Sequence, residues 1–220
     1  MTVVFENKHL SAANLLHDVV AYAGFYDQAA LQFNMVMGDT RRRVERNIYW
    51  VRPPPTHVVL NSDGARKVDS MRAGSGCLIR NHEGRWQTGC CRNIGACTPL
   101  QAELWGLLDG LELAWAGGFR DVIVQADCLV AVRIIQNLDE TPNAQLCIVR
   151  RIQRLLEQAW RVTITHVYRD GNRCADFLAS FALSLEDGYH PLQEPPAGVV
   201  GLLEEDAVGI GVVRRCCNNT

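Results

Sequence analysis

The sequence contains no C-x-x-C spacing, although it carries nine cysteines. A zinc ribbon and a thioredoxin-like dithiol therefore have no support. The odd cysteine count in a chain of 220 residues also argues against a disulfide scaffold, and the thiols read as free groups in a reducing compartment. No apolar run approaches the roughly 18 residues that a membrane span requires. The N-terminus lacks a charged segment followed by an apolar one, so no secretory signal is expected, and the location expected is intracellular, nuclear or cytoplasmic. Neither charge sign dominates, with 22 Lys and Arg against 24 Asp and Glu, so bulk charge does not by itself select a polyanionic partner. Internal repeats and low-complexity tracts are also missing. What remains is a globular composition with 48% hydrophobic and 21% charged residues.

Three zones differ in composition. Residues 1–56 hold two weakly amphipathic stretches, Ala12–Phe25 and Gln28–Met37. After them come the basic cluster Arg41, Arg42, Arg43 and Arg46 and the triplet Pro53-Pro54-Pro55. Three successive prolines forbid a helix and suit an extended linker, which places a boundary there. Residues 57–184 carry strong periodicity. Residues 185–220 hold three prolines and six acidic residues against two arginines, and they read as a loose acidic extension touching the rest at apolar points such as Val199 and Leu202.

The middle zone predicts strands at His57–Asp63, Gly74–Arg80 and Arg85–Arg92, with turns at Asp63-Gly64 and Asn81–Gly84. Thr98-Pro99-Leu100-Gln101 is a capping box with proline at the first helical position. Leu104, Leu107, Leu108, Leu111, Ala114 and Trp115 then form one apolar stripe ending at Gly117-Gly118. A buried strand follows at Asp121–Ala126. Helices are expected at Leu129–Leu138 and Ala144–Trp160, with Asp139–Pro142 between them, then a strand at Val162–Tyr168 and a helix at Asn172–Leu185. The order β-β-β-α-β-α-α-β-α implies an α/β fold: a five-stranded mixed sheet, begun by an antiparallel meander, with helices on both faces.

The acids fall at telling places. Asp63 and Asp127 close the first and fourth expected strands, and in α/β sheets ligands bind outside the carboxyl ends of strands. Glu103 lies early in the main helix, with Gly106 and Gly110 letting that helix approach the sheet. Asp176 lies one turn into the last helix. Each acid alone could cap a turn or favour a helix start. Four converging carboxylates repel one another unless cations neutralise them, and oxygen-only ligands suit Mg²⁺ or Mn²⁺. A pair of such ions clamps both oxygens of a phosphoryl displacement.

Asn61-Ser62-Asp63-Gly64-Ala65, Gln101-Ala102-Glu103-Leu104, Gln125-Ala126-Asp127 and the run Asn172–Ala179 resemble the motifs of the type 1 ribonuclease H family. Ala102–Phe119 and His166–Arg169 resemble in particular the ribonuclease H domains associated with reverse transcriptases of plant non-LTR retrotransposons. The resemblance spans about residues 57–184. It implies a ribonuclease H-like fold and an endonuclease that cuts the RNA strand of an RNA–DNA hybrid with two Mg²⁺ ions. Carried over by position, Asp63 would bridge both ions, Asp176 would help hold the one activating water, and Glu103 and Asp127 would hold the one on the leaving 3′ oxygen. Glu103 would also lie near the ribose 2′-hydroxyl. Thr98, Asn172 and Arg169 are the expected substrate-side residues, with Asn172 bracing the start of the last helix.

The chain departs from that family at several places. Tyr168-Arg169-Asp170-Gly171 replaces the loop in which larger members place a mobile histidine, and His166 falls inside a strand as a structural histidine. Pro99 and Leu100 stand where members have polar residues before the glutamate helix, Cys128 stands where serine often follows the third acid, and a basic substrate-gripping insertion is missing. Residues 57–184 carry 14 basic and 13 acidic residues, an excess that rises to +5 once the four candidate ligands are set aside. Arg150, Arg151 and Arg154 share a helix face that either meets phosphate or is simply solvated. Trp86, Trp105, Trp115 and Trp160 read as core or half-core. A second hypothesis belongs to another class: a domesticated or decayed retrotransposon-derived module that binds nucleic acid without cutting it. The complete acid quartet favours the nuclease, and the altered contact residues favour the module.

Overall fold

A computed structural model describes residues 2–4, 43–136 and 146–217. The amphipathic stretches at 12–25 and 28–37, Arg41, Arg42 and the 139–142 linker lie outside the described residues. The elements in chain order are β1 (Thr2–Val4), β2 (Arg43–Ile48), β3 (Val58–Arg66), β4 (Arg72–Arg80), β5 (Trp86–Ala96), α1 (Pro99–Ala116), β6 (Asp121–Ala126), α2 (Leu129–Gln136), α3 (Leu146–Leu156), β7 (Arg161–His166), a 3₁₀ turn (Arg169–Gly171), α4 (Arg173–Ala182), β8 (Gly188–Leu192), α5 (Ala197–Ala207) and β9 (Val212–Cys217).

The central sheet runs β1-β7-β6-β3-β4-β5-β8. β3, β6 and β7 are parallel neighbours, whereas β3, β4 and β5 form the antiparallel meander. The sheet is thus mixed, as expected, but it has seven strands where five were expected. The two additions are β1, which pairs antiparallel with β7, and β8, which pairs antiparallel with β5. Both come from segments outside the strongly periodic middle.

Each face of the sheet carries its own core. Leu60, Val122, Val124 and Ile164 pack against Leu104, Leu107, Leu108 and Leu111 of α1 and against Ile152 of α3. On the other face Leu78 and Cys91 meet Cys174, Ala175, Leu178 and Ala182 of α4 and Val199 of α5. α1 begins at the anticipated capping box: the Gln101 backbone N–H donates to Thr98 Oγ1 at 3.2 Å, and the Thr98 N–H donates to Gln101 Oε1 at 3.0 Å. Trp115 and Trp160 pack edge to face at 5.3 Å in the half-core role expected of them. Cys77, Cys90, Cys91, Cys97, Cys128, Cys147 and Cys174 are free.

Two expectations need correction. Asp63 does not end its strand, because β3 continues to Arg66 and pairs with β4 throughout. Gly64, which suggested a turn, serves close packing: a Cβ there would lie 2.4 Å from the Glu103 backbone nitrogen. Residues 185–217 are also not loose. β8 extends the sheet, α5 buries Val199, and β9 pairs along its length with β2. Trp50, just before the prolines, is buried with its ring over the Arg80 guanidinium at 3.8 Å.

Candidate metal centre

β3 and β6 pair in parallel through Ser62 and Ala126, so Asp63 and Asp127 are the next residues on adjacent chains. The close approach of α1 adds Glu103. Gly106 makes this approach possible, since a Cβ there would stand 2.8 Å from the Asp63 carbonyl oxygen, and one at Gly110 would stand 2.6 Å from Leu60 Cδ1. Carboxylate oxygens of Asp63, Glu103 and Asp127 lie within 4.8 Å of one another. Asp176, in the first turn of α4, is close enough for its charge to act on Asp63 and Glu103, and its carboxylate is ion-paired with Arg169.

The electrostatics follow from burial. Asp63 is 4% exposed. Burial, then the charges of Glu103, Asp127 and Asp176, push its carboxyl from 3.8 up to about 10. Burial first and Asp127 second push Glu103 from 4.5 up to about 8, against the Gly64 backbone N–H and the Arg169 charge. The donor set therefore fits hard divalent cations: all its atoms are oxygens, they are close together, and their negative charge is not offset from within the cluster.

The residues expected on the substrate side divide. Arg169 is exposed and stands at the cluster through Asp176. Thr98 is tied into the capping box, and its hydroxyl also donates to Gln101 Oε1 at 3.1 Å. Asn172 is 1% exposed and cannot reach a substrate, which corrects its place among the substrate contacts. Its amide donates to the Ser62 carbonyl at 2.9 Å and to Asp127 Oδ1 at 3.5 Å, and its carbonyl accepts from Asn61 Nδ2 at 3.1 Å. Its amide braces Ser62 within β3 and Asp127 just past β6, and it makes no side-chain cap to the start of α4, where the brace was expected. His166 is likewise structural: its Nε2 donates to the Asp127 carbonyl at 3.0 Å.

Sequence reasoning missed the residues behind this brace. Asn61 Nδ2 donates to Gln125 Oε1 at 2.9 Å, and Asn61 Oδ1 accepts from Arg80 Nη2 at 2.7 Å. Asn61 and Gln125 stood in the recognised motifs without a role. Arg80 ends an apolar strand, and nothing in its neighbourhood in the sequence announced a buried charge.

The strand order, the helices on both faces and the acids between β3, β6 and α1 define a ribonuclease H-like fold. A protein-family model described as reverse transcriptase-like matches residues 61–182. An Arabidopsis thaliana protein named as a candidate ribonuclease H is 38% identical over 182 residues, which is 83% of this chain and 29% of that protein. The chain thus spans less than a third of that relative's length. Among solved structures, ribonuclease H1 of the archaeon Halobacterium salinarum superposes with a TM-score of 0.54 and 29% identity, over 58% of this chain and 98% of that one. The N-terminal ribonuclease H domain of a Mycobacterium tuberculosis protein gives 0.55 and 26%, over 58% and 94%. The chain belongs to the reverse transcriptase-like family, whose fold is that of the type 1 ribonucleases H.

Proposed function

We propose that this protein is a metal-dependent endonuclease that hydrolyses the RNA strand of RNA–DNA hybrids. The observation that carries the proposal is the convergence of Asp63, Glu103 and Asp127 within 4.8 Å, with Asp176 beside them. The ribonuclease H identity of the Halobacterium and Mycobacterium neighbours supports the choice of substrate.

Asp63 and Asp176 would hold one Mg²⁺ or Mn²⁺ ion, and Asp63, Glu103 and Asp127 a second. When bound, such ions lower the pKa of water and stabilise charge on a leaving oxygen. The residues do the positioning. Asn172 holds Asp127 and the backbone beside Asp63, so the two acids present fixed oxygens. Glu103, on the rigid first turns of α1, would meet the ribose 2′-hydroxyl that distinguishes RNA from DNA. Arg169 is ion-paired with Asp176, and its guanidinium would turn to a phosphate when substrate binds. The exposed Arg150 and Arg154 of α3 would offer a second basic surface for the hybrid backbone, while Arg151 beside them is ion-paired with Glu112.

The second reading, a module that binds nucleic acid without cutting, draws on the Thr98 hydroxyl being spent in the helix cap. One assay separates the two: a labelled RNA–DNA hybrid incubated with Mg²⁺ or with EDTA. Mg²⁺-dependent cleavage of the RNA strand is expected. A pure sample that binds the hybrid but never cuts it with either Mg²⁺ or Mn²⁺ would sink the nuclease and leave the module.

A further inference from the structure

A buried chain of hydrogen bonds runs from the C-terminal helix to the acids. Asp206 of α5 is 3% exposed and accepts from Arg80 Nη1 at 2.7 Å through one oxygen and from Arg173 Nη2 at 3.0 Å through the other. Arg80 is 1% exposed and donates from Nη2 to Asn61 Oδ1 at 2.7 Å, under the ring of Trp50. Asn61 Nδ2 then serves Asn172 Oδ1, and Asn172 Nδ2 serves the Ser62 carbonyl and Asp127.

The direction of this chain matters as much as its existence. An amide can present either its oxygen or its NH₂ group, and its partners decide which. A guanidinium has donors only. Arg80 therefore forces Asn61 to face it with oxygen, which turns the Asn61 NH₂ to Asn172. Asn172 must answer with its own oxygen, so its NH₂ falls on Ser62 and Asp127. Reverse the chain and the Asn172 oxygen would confront a carbonyl and a carboxylate. Without Arg80, Asn61 could flip together with Gln125, whose amide accepts from it, and its oxygen would then confront the Asn172 oxygen.

We infer that Arg80, anchored by Asp206, is a positioning residue for the metal centre: it sets the polarity of two amides in series and so aims an N–H donor at Asp127. The C-terminal helix is then part of the site's support although none of its side chains reaches the acids. This inference rests on the metal-site reading given above. A ligating carboxylate held by a fixed donor keeps its remaining lone pairs aimed at the cation.

The test uses the full chain and Mn²⁺ alone, titrated without nucleic acid and followed by electron paramagnetic resonance. The double variant Arg80→Met with Asp206→Leu removes both charges of the pair together, so neither is left buried without its partner. Mn²⁺ affinity is expected to weaken about three- to tenfold, less than the roughly 10–100-fold seen when a direct partner of a ligand is lost. Val199→Ala, which loosens the packing of α5 without touching the chain of amides, is expected to lower the melting temperature and leave Mn²⁺ affinity unchanged. Should the double variant fail to fold, Arg80→Gln, whose amide can present either end, carries the same expected loss. Arg80→Lys, a donor-only group, is expected to bind Mn²⁺ within about twofold of wild type by the same donor argument. Wild-type affinity in the charge-removing variants would overturn the inference, and so would an equal loss in Val199→Ala, which would mark simple loosening. A wild type that takes up no Mn²⁺ would bring down the metal-site reading itself, and this inference with it.

Discussion

Asp63→Asn should make the metal-free protein more stable, which is the reverse of what most substitutions at a buried polar residue do. The folded carboxyl of Asp63 titrates at about 10 against an ordinary 3.8. A carboxyl raised in this way has no effect on stability below pH 4, where both states are protonated. Above that the unfolded chain ionises while the folded one resists, so stability falls with rising pH until about 10. At about 1.4 kcal/mol per pH unit over the roughly four units from 3.8 to pH 8, Asp63 alone costs on the order of 6 kcal/mol. Glu103, raised from 4.5 to about 8, adds to the same trend and stops adding near pH 8. Asparagine keeps the shape, cannot ionise, and offers an NH₂ donor where the protonated acid would offer its O–H to Asp127.

Thermal melts in EDTA at pH 4, 6 and 8 check this. The wild type should lose stability from pH 4 to 8, and the variant should lose markedly less. At pH 8 the gap should reach about 12–24 °C, taking roughly 2–4 °C per kcal/mol for a chain of this size. At pH 4 it should close. Millimolar Mg²⁺ or Mn²⁺ should then raise the wild-type melting temperature at pH 8, by about 2.7 kcal/mol of linkage at a hundred times Kd, and should do little for the variant. If the metal-free variant melts at or below the wild type at pH 8, the burial and crowding ascribed to Asp63 are wrong.

Three further outcomes are expected. Asp127→Asn should abolish hybrid cleavage yet keep or improve hybrid binding, because it removes a ligand together with a negative charge that faces phosphate; gel cleavage and filter binding on one preparation measure both. Arg150→Ala with Arg154→Ala should weaken hybrid binding and flatten its dependence on log salt by up to about two, the slope that two lost phosphate contacts would remove. Gly64→Ala should destabilise by about 1–3 kcal/mol or more and impair cleavage, since its Cβ would fall 2.4 Å from the Glu103 backbone nitrogen and push α1 from the sheet, as melting and activity assays would record.

The fold was legible because its signals are local. The α1 capping box, the leucine stripe and the Val122–Val124 run each announce an element through short-range periodicity, and the structure has each of them. The convergence of Asp63, Glu103 and Asp127 was legible for a related reason: each acid sits at a definite place on an element whose neighbours the topology dictates. The Asp63-Gly64 pair misled at a point where two physical causes share one residue type. Glycine serves a tight turn and a close helix approach equally well, and only the folded partner, here the backbone of Ala102 and Glu103, tells them apart.

The tail was misread because its acids were counted as charge instead of as partners. Asp187 pairs with Arg72 at 2.6 Å, Glu205 with Arg173 at 2.6 Å, and Asp206 with Arg80 at 2.7 Å. Six acids against two arginines in residues 185–220 looked like a solvated surplus, whereas half of them neutralise arginines between 72 and 173. The same pairings revise the basic excess of the middle zone. Arg92 is bound to Asp109 and Arg161 to Asp121, and Arg151 meets Glu112. Arginines already paired within the chain give little free attraction for phosphate. Among the described residues Arg150 and Arg154 on α3 are in no ion pair, and a hold on nucleic acid built on these two, with Arg169 once it leaves Asp176, rests on few contacts and not on a general positive field. A grip built on so few contacts has a shallow salt dependence, and each of them accounts for a large share of it.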